Sequence, residues 1–143
     1  VYGIENDMEK AHVITDFIRK GFEEGEFEMM TDGTEERQFL YAEDCCEALE
    51  TVMENFTDFK PEDPLHITSF HSTSIKDVAH IIQGCFNRIG RDDVNIKPGL
   101  AKDSVQLDKR NEADTYITSW WLPKTGIDEG INKVFDAMKK NYE

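Results

Sequence analysis

Amphipathic helical stripes alternating with short apolar strands predict an α/β fold with few short strands and about four helices. Apolar residues recur at helical spacing in four segments, and Gly, Pro and Asp-Gly turn signals separate them. The apolar runs in between are too few and too short to make an independent doubly wound sheet. One domain is expected over 1–143, because 38% hydrophobic residues, including 9 Phe, 2 Trp and 4 Tyr, suffice for a single core.

The first helix is expected within 8–22, where Val13, Ile14, Phe17, Ile18 and Phe22 share a face, with Gly21 and Gly25 closing it. Residues 27–30 read as a strand, Asp32-Gly33 as a tight turn, and 38–41 as a second strand with Phe39 and Tyr41 on one face. The two strands pair or flank a crossing. Asp44 is placed to cap a helix whose stripe is Cys45, Ala48, Leu49, Val52, Met53 and Phe56. Pro61 and Pro64 make 57–64 a loop, and 65–68 a brief strand after it. Ser74 and Asp77 form a capping box ahead of the stripe Ile75, Val78, Ala79, Ile82, Phe86 and Ile89, which stops before Gly90. A strand follows at 94–96, then an aperiodic stretch over 97–121 that is irregular or only locally helical. Thr125 and Asp128 form a second capping box, and Ile127, Ile131, Val134, Phe135, Met138 and Tyr142 line the closing helix.

Charge narrows the partners. Lys and Arg total 16 against 30 Asp and Glu, a net charge of −14, which repels phosphate backbones and anionic lipid. Neither nucleic acid nor a membrane is an expected partner. No apolar run approaches the ~20 residues that span a bilayer, and no signal peptide opens the chain. Three Cys with no CxxC spacing read as neither a disulfide framework nor a zinc site, so a reducing, cytoplasmic setting is expected. The start at Val1-Tyr2-Gly3 reads like the middle of a strand, hence the expectation of a fragment.

The order of several short motifs carries a resemblance. Tyr2-Gly3, Ala11-His12-Val13-Ile14, Arg37-Gln38-Phe39-Leu40-Tyr41-Ala42-Glu43-Asp44, Thr73-Ser74-Ile75-Lys76-Asp77-Val78-Ala79 and Trp121-Leu122-Pro123-Lys124-Thr125 through Glu129-Gly130-Ile131 follow one another. The chain resembles the C-terminal, substrate-binding lobe of the NAD(P)-dependent nucleotide-sugar epimerases and dehydratases, the extended short-chain dehydrogenases. The resemblance implies a parent enzyme, of a family whose members are commonly homodimers, that uses NAD or NADP and acts on a UDP- or GDP-linked sugar by epimerisation, dehydration or reduction. It implies further that the Rossmann cofactor domain with its Tyr-xxx-Lys pair precedes this region. No GxGxxG or GxxxxGK[ST] loop is present, so no cofactor is expected to bind this chain alone, and the chain alone is not expected to be catalytically competent.

The resemblance assigns residues one by one. Arg37, in Arg-x-Phe-x-x-x-x-Asp, matches a contact to the substrate diphosphate, a task suited to a guanidinium fork; the alternative is a surface Arg neutralising Glu35 and Glu36. Asp44, the last residue of that motif, is read as structural. His12 matches a proposed acid near the sugar in the fucose-synthase branch, although Thr15 stands where that branch has Pro; the alternative is an exposed helix-start His. Arg19 and Lys20 match basic residues on the nucleotide phosphates, or simply complement a helix C-terminus. Val13 and Phe17 match nucleotide-pocket positions, though their spacing equally suits the core. Met30 stands where an aromatic residue covers the base. Arg110 is near a second diphosphate contact, while His66 and Thr68 replace the usual Asn and Gly. The competing function is a free-standing acidic interaction module with the same fold and no chemistry.

Overall fold

In the computed structural model, which describes residues 1–104 and 112–143, His12 is extended at φ −93°, ψ 174°, and this separates a 3-10 turn at Met8–Lys10 from helix α1, Val13–Glu23. The helix therefore starts later than the apolar period suggested. Ile14, Phe17 and Ile18 face inward, and Gly25 at φ 71° turns the chain into strand β1, Glu26–Glu28. Strand β2 is Glu36–Gln38, earlier than expected, and β1 does not pair with it. β1 pairs in parallel with β4, Asn95–Lys97, with Phe27 opposite Ile96. β2 pairs antiparallel with β3, Ser72–Ser74, with Arg37 opposite Thr73. Ser72–Ser74 carries no strand signal of its own, and 65–68 forms no strand; Leu65 and Ile67 instead pack into a small second core.

Beyond β2 the chain stays extended through Tyr41, because Tyr2 bridges it in parallel: Tyr2 N donates to Leu40 O at 2.8 Å and Ala42 N to Tyr2 O at 2.8 Å. Helix α2, Ala42–Glu54, consequently has Tyr41 at its N-cap rather than Asp44. Its apolar stripe divides. Ala48 is buried and Cys45 and Val52 are partly buried, whereas Leu49, Met53 and Phe56 on the neighbouring flank are exposed. Helix α3, Ile75–Arg88, has the predicted cap: Ser74 Oγ accepts from Asp77 N at 3.0 Å and donates to Asp77 Oδ2 at 2.7 Å. Its face of Val78, Ala79, Ile82 and Phe86 is buried. After β4, the stretch read as irregular contains a 3-10 turn at Tyr116–Ser119. Helix α4, Ile127–Lys139, starts from Gly126 with no side-chain cap, so the Thr125 and Asp128 box does not form.

Thr125 is engaged in another way. Its backbone N–H donates to Asp44 Oδ2 at 2.8 Å, across 81 residues, so the first turn of α2 fixes the entrance to α4. Asp44 is 3% exposed, which confirms a structural duty while moving it from helix cap to inter-helix tie. Removing the acceptor strands a part-buried donor. Asp44→Ala is accordingly expected to cost about 1–3 kcal/mol in urea unfolding, with Asp44→Asn losing less because it retains an oxygen. A variant as stable as the parent chain would sink the tie.

The main core lies where α1 and α3 pack on the β1–β4 pair and α4 packs on those two helices. Phe86 meets Phe135 at 4.9 Å and Phe22 at 4.8 Å, while Phe22 also stacks on Tyr142 at 4.5 Å. α1 passes α3 at Gly21, where a Cβ would lie 2.3 Å from Phe86. A smaller core of Leu40, Ala48, Ile117 and Trp121 sits under α2.

Candidate functional site

Arg37 lies in the middle of β2, held by its pairing with Thr73, and its side chain is about half exposed. Nη1 donates to Glu36 O at 3.0 Å and Nη2 to Asp103 Oδ2 at 2.6 Å. Asp103 is a residue the sequence concealed, since an acidic side chain in an aperiodic stretch carries no signal of its own. Its place is set by backbone bonds that prolong the β1–β4 ladder: Met29 N to Lys97 O, 2.9 Å; Gly99 N to Thr31 O, 3.0 Å; and Asp32 N to Ala101 O, 2.7 Å. The same ladder carries Met30, which is 94% exposed. Gly33 closes the turn at φ 76°, where a Cβ would meet Met29 Sδ at 2.7 Å, and Gly33 O accepts from Lys76 N at 2.9 Å.

His12 occupies the N-cap of α1, but its side chain makes no capping bond. Its carbonyl accepts from Asp16 N at 2.8 Å and from Thr15 Oγ1 at 3.1 Å, which anchors the backbone and leaves the imidazole exposed. The ring borders a cleft of about 260 Å³ with Tyr2, Gly3, Glu5 and Ala42. Burial, followed by the nearby Tyr41 and Asp44, pushes the Tyr2 phenol well above its ordinary value. Tyr2 is therefore a neutral wall of this cleft and not a base.

The remaining candidates separate by environment. Phe17 is 4% exposed and stacks on Phe27 at 4.9 Å, and Val13 packs against the same core, so both serve packing in this chain. Arg19 is bonded to Asp16 at 2.9 Å and Glu23 at 2.7 Å, and Lys20 to Asp16 at 2.7 Å. Burial raises the Asp16 carboxyl, but the hydrogen bonds from Lys20 and Arg19 outweigh it and leave that group below its usual value. The two cations are engaged along α1 itself, which agrees with a helix-stabilising role. Arg110 lies outside the described residues. His66 Nδ1 accepts from Asp114 N at 2.7 Å, and Thr68 Oγ1 donates to Gln38 Oε1 at 2.7 Å, so both departures from the family pattern are used to hold loops.

A second cleft of about 200 Å³ opens beside Phe39, Ser69, His71, Thr73 and Lys124. Next to it Phe70 adopts φ 55°, a left-handed conformation unusual for a bulky side chain, with its ring partly buried against Trp121. Among the described residues no cluster of His, Cys, Asp or Glu could hold a metal ion, and no helix is long and apolar enough to cross a membrane.

The chain is similar to known proteins over nearly its whole length. Residues 1–67 match the model of the NAD dependent epimerase/dehydratase family. A GDP-L-fucose synthase of Sinorhizobium fredii is 28% identical over 144 residues, covering 94% of this chain and 42% of that protein. Among solved structures, the UDP-glucose 4-epimerase of Thermotoga maritima, crystallised with UDP-glucose, superposes with a TM-score of 0.77 at 21% identity, over 99% of this chain and 44% of that one. The dTDP-glucose 4,6-dehydratase of Bacillus anthracis, in complex with NAD, gives 0.75 at 18% identity, over 98% and 42%. The chain thus spans less than half the length of these relatives.

Proposed function

We propose that the chain, whose residues 1–67 match the NAD dependent epimerase/dehydratase family, forms the part of such an enzyme that holds a nucleotide-diphosphate sugar. The observation that carries this reading is Arg37: a half-exposed guanidinium fixed on a strand, close along the chain to the exposed Met30. A guanidinium fork suits two phosphate oxygens, and a thioether can cover a base, whether that of a UDP- or a GDP-linked sugar. The net charge of −14 does not oppose this, because long-range repulsion is screened over ~8 Å while a contact is not. His12, whose imidazole borders the neighbouring cleft, is placed to pass a proton to the sugar.

NAD or NADP would supply the hydride chemistry in the parent enzyme. No residue of this chain is assigned to that cofactor, since the sequence lacks a glycine-rich dinucleotide loop. Hydride transfer by the chain alone is not expected, and the chain serves as the substrate-binding region of a longer, cytoplasmic enzyme. The test is calorimetric titration of the chain with UDP-glucose and with a GDP-sugar. Arg37→Ala is expected to weaken binding roughly 10- to 150-fold, the equivalent of one charged hydrogen bond of ~1.5–3 kcal/mol. Affinity untouched by the substitution would end the assignment of Arg37.

A second reading, an acidic interaction module without chemistry, draws on the exposed Leu49 and Met53 of α2 and Phe56 just beyond its end. It predicts protein binding and no response to any nucleotide in the same titrations.

A further inference from the structure

We propose that the outward side of helix α2 is a docking surface for a basic amphipathic helix of another protein. The proposal does not depend on the reading of Arg37 and involves no nucleotide. Two rows of side chains run along this side of α2. In the first, Leu49 and Met53 lie one turn apart and Phe56 follows just past the helix end; they are 51%, 78% and 75% exposed. The second is acidic. Glu47, Glu50 and Glu54 recur at spacings of three and four residues and border a shallow cleft of about 340 Å³, whose opposite wall includes Trp120 and Leu122.

Neither row is favourable when left to water. Exposed apolar area forgoes burial, and like charges three or four residues apart on a helix repel. Glu47 is paired with Lys124 Nζ at 2.7 Å, but among the described residues no cation meets Glu50 or Glu54. The indole across the cleft is held in place, since Trp120 meets Phe59 at 4.6 Å and Tyr116 at 5.1 Å. Carboxylates facing an indole suit a Lys or Arg side chain, which pairs with the first and lies over the second. Charge then selects the occupant. The glutamates repel anionic lipid and nucleic acid, and a second copy of this chain would set glutamate against glutamate. A helical partner matches because both rows keep the helical period along α2, whose 13 residues extend about 20 Å. Its apolar stripe covers Leu49, Met53 and Phe56, and the Lys or Arg residues along one border reach Glu50 and Glu54.

The probe is a fluorescent peptide of about 16 residues with leucines on one helical stripe and lysines along both borders, titrated with the chain by anisotropy at about 0.15 M ionic strength. The unaltered chain is expected to bind it. The Glu50→Lys, Glu54→Lys double variant should bind about tenfold more weakly or worse, and Leu49→Gln, Met53→Gln about fivefold more weakly. Glu24→Lys, Glu28→Lys makes the same change in net charge at exposed positions at the end of α1 and on β1, and should alter affinity less than about twofold. A peptide with glutamates in place of its lysines should bind the Glu50→Lys, Glu54→Lys variant and not the unaltered chain. Should that variant disturb folding, as judged by circular dichroism, Glu50→Gln, Glu54→Gln removes the same negative charges and must also weaken binding of the basic peptide. No binding by the unaltered chain, or equal weakening by the α2 pair and the Glu24, Glu28 pair, overturns the proposal. A chain that dimerises in sedimentation velocity and is returned to monomer by Leu49→Gln, Met53→Gln overturns it too, because a second copy is then the occupant. UDP-glucose titration of the Glu50→Lys, Glu54→Lys variant reports on Arg37 separately, so either reading can fail while the other stands.

Discussion

Gly21→Ala is expected to destabilise the fold by about 2 kcal/mol, whereas Gly84→Ala should stabilise it by about 0.5–1 kcal/mol. Both glycines lie inside helices, where alanine is normally the better residue because it loses less backbone entropy. Their surroundings give the changes opposite signs. A Cβ at Gly84 meets nothing within 4 Å. A Cβ at Gly21 would stand 2.3 and 2.4 Å from Phe86 Cε2 and Cζ, and Phe86 cannot retreat, since it is wholly buried and wedged against Phe22 and Phe135. Overpacking of this sort costs roughly 1–3 kcal/mol or more, above the propensity gain. Urea unfolding of the two variants side by side is the check, and equal signs would refute the close α1–α3 approach.

His12→Gln is expected to slow turnover by about 10²–10⁴-fold in an enzyme that carries this chain beside a dinucleotide domain, with KM changed less than about threefold. The expectation rests on the anchored carbonyl and the uncommitted imidazole. Thr15 and Asp16 hold the His12 backbone, the ring borders the cleft, and glutamine maintains hydrogen bonding without a titratable nitrogen. Steady-state kinetics decide it: unchanged turnover returns His12 to the role of an exposed helix-start residue, and a rise in KM alone makes it a binding residue.

What the sequence disclosed was mainly local. The Ser74 and Asp77 cap and the buried face of α3 depend on residues three or four apart, and both formed as read. α2 shows where that logic ends. Periodicity states which residues share a face of a helix but not whether anything lies against them, and Leu49, Met53 and Phe56 proved to be exposed. Pairings over long separations were not legible at all. Asp44 looked like a cap because a cap is the nearest use for an aspartate before a helix, yet its partner is Thr125, 81 residues away. Likewise β2 found its partner in β3, a serine- and threonine-rich triplet without strand character. The resemblance singled out Arg37 and His12 as candidates but gave no hint of Asp103, since only the β1–β4 ladder carries it to Arg37.

The aromatic contact between Phe22, Phe86 and Phe135 has a consequence for synthesis. Its three rings come from α1, α3 and α4, so the interior is assembled from segments far apart in time of translation. A nascent chain that has released α1 and α3 from the ribosome still holds Phe22 and Phe86 with one wall missing. At ~5–20 residues per second, the interval from Arg88 to Met138 lasts several seconds. During that interval the half-built interior is open to chaperones and to neighbouring chains, and the last helix is the one that ends the exposure.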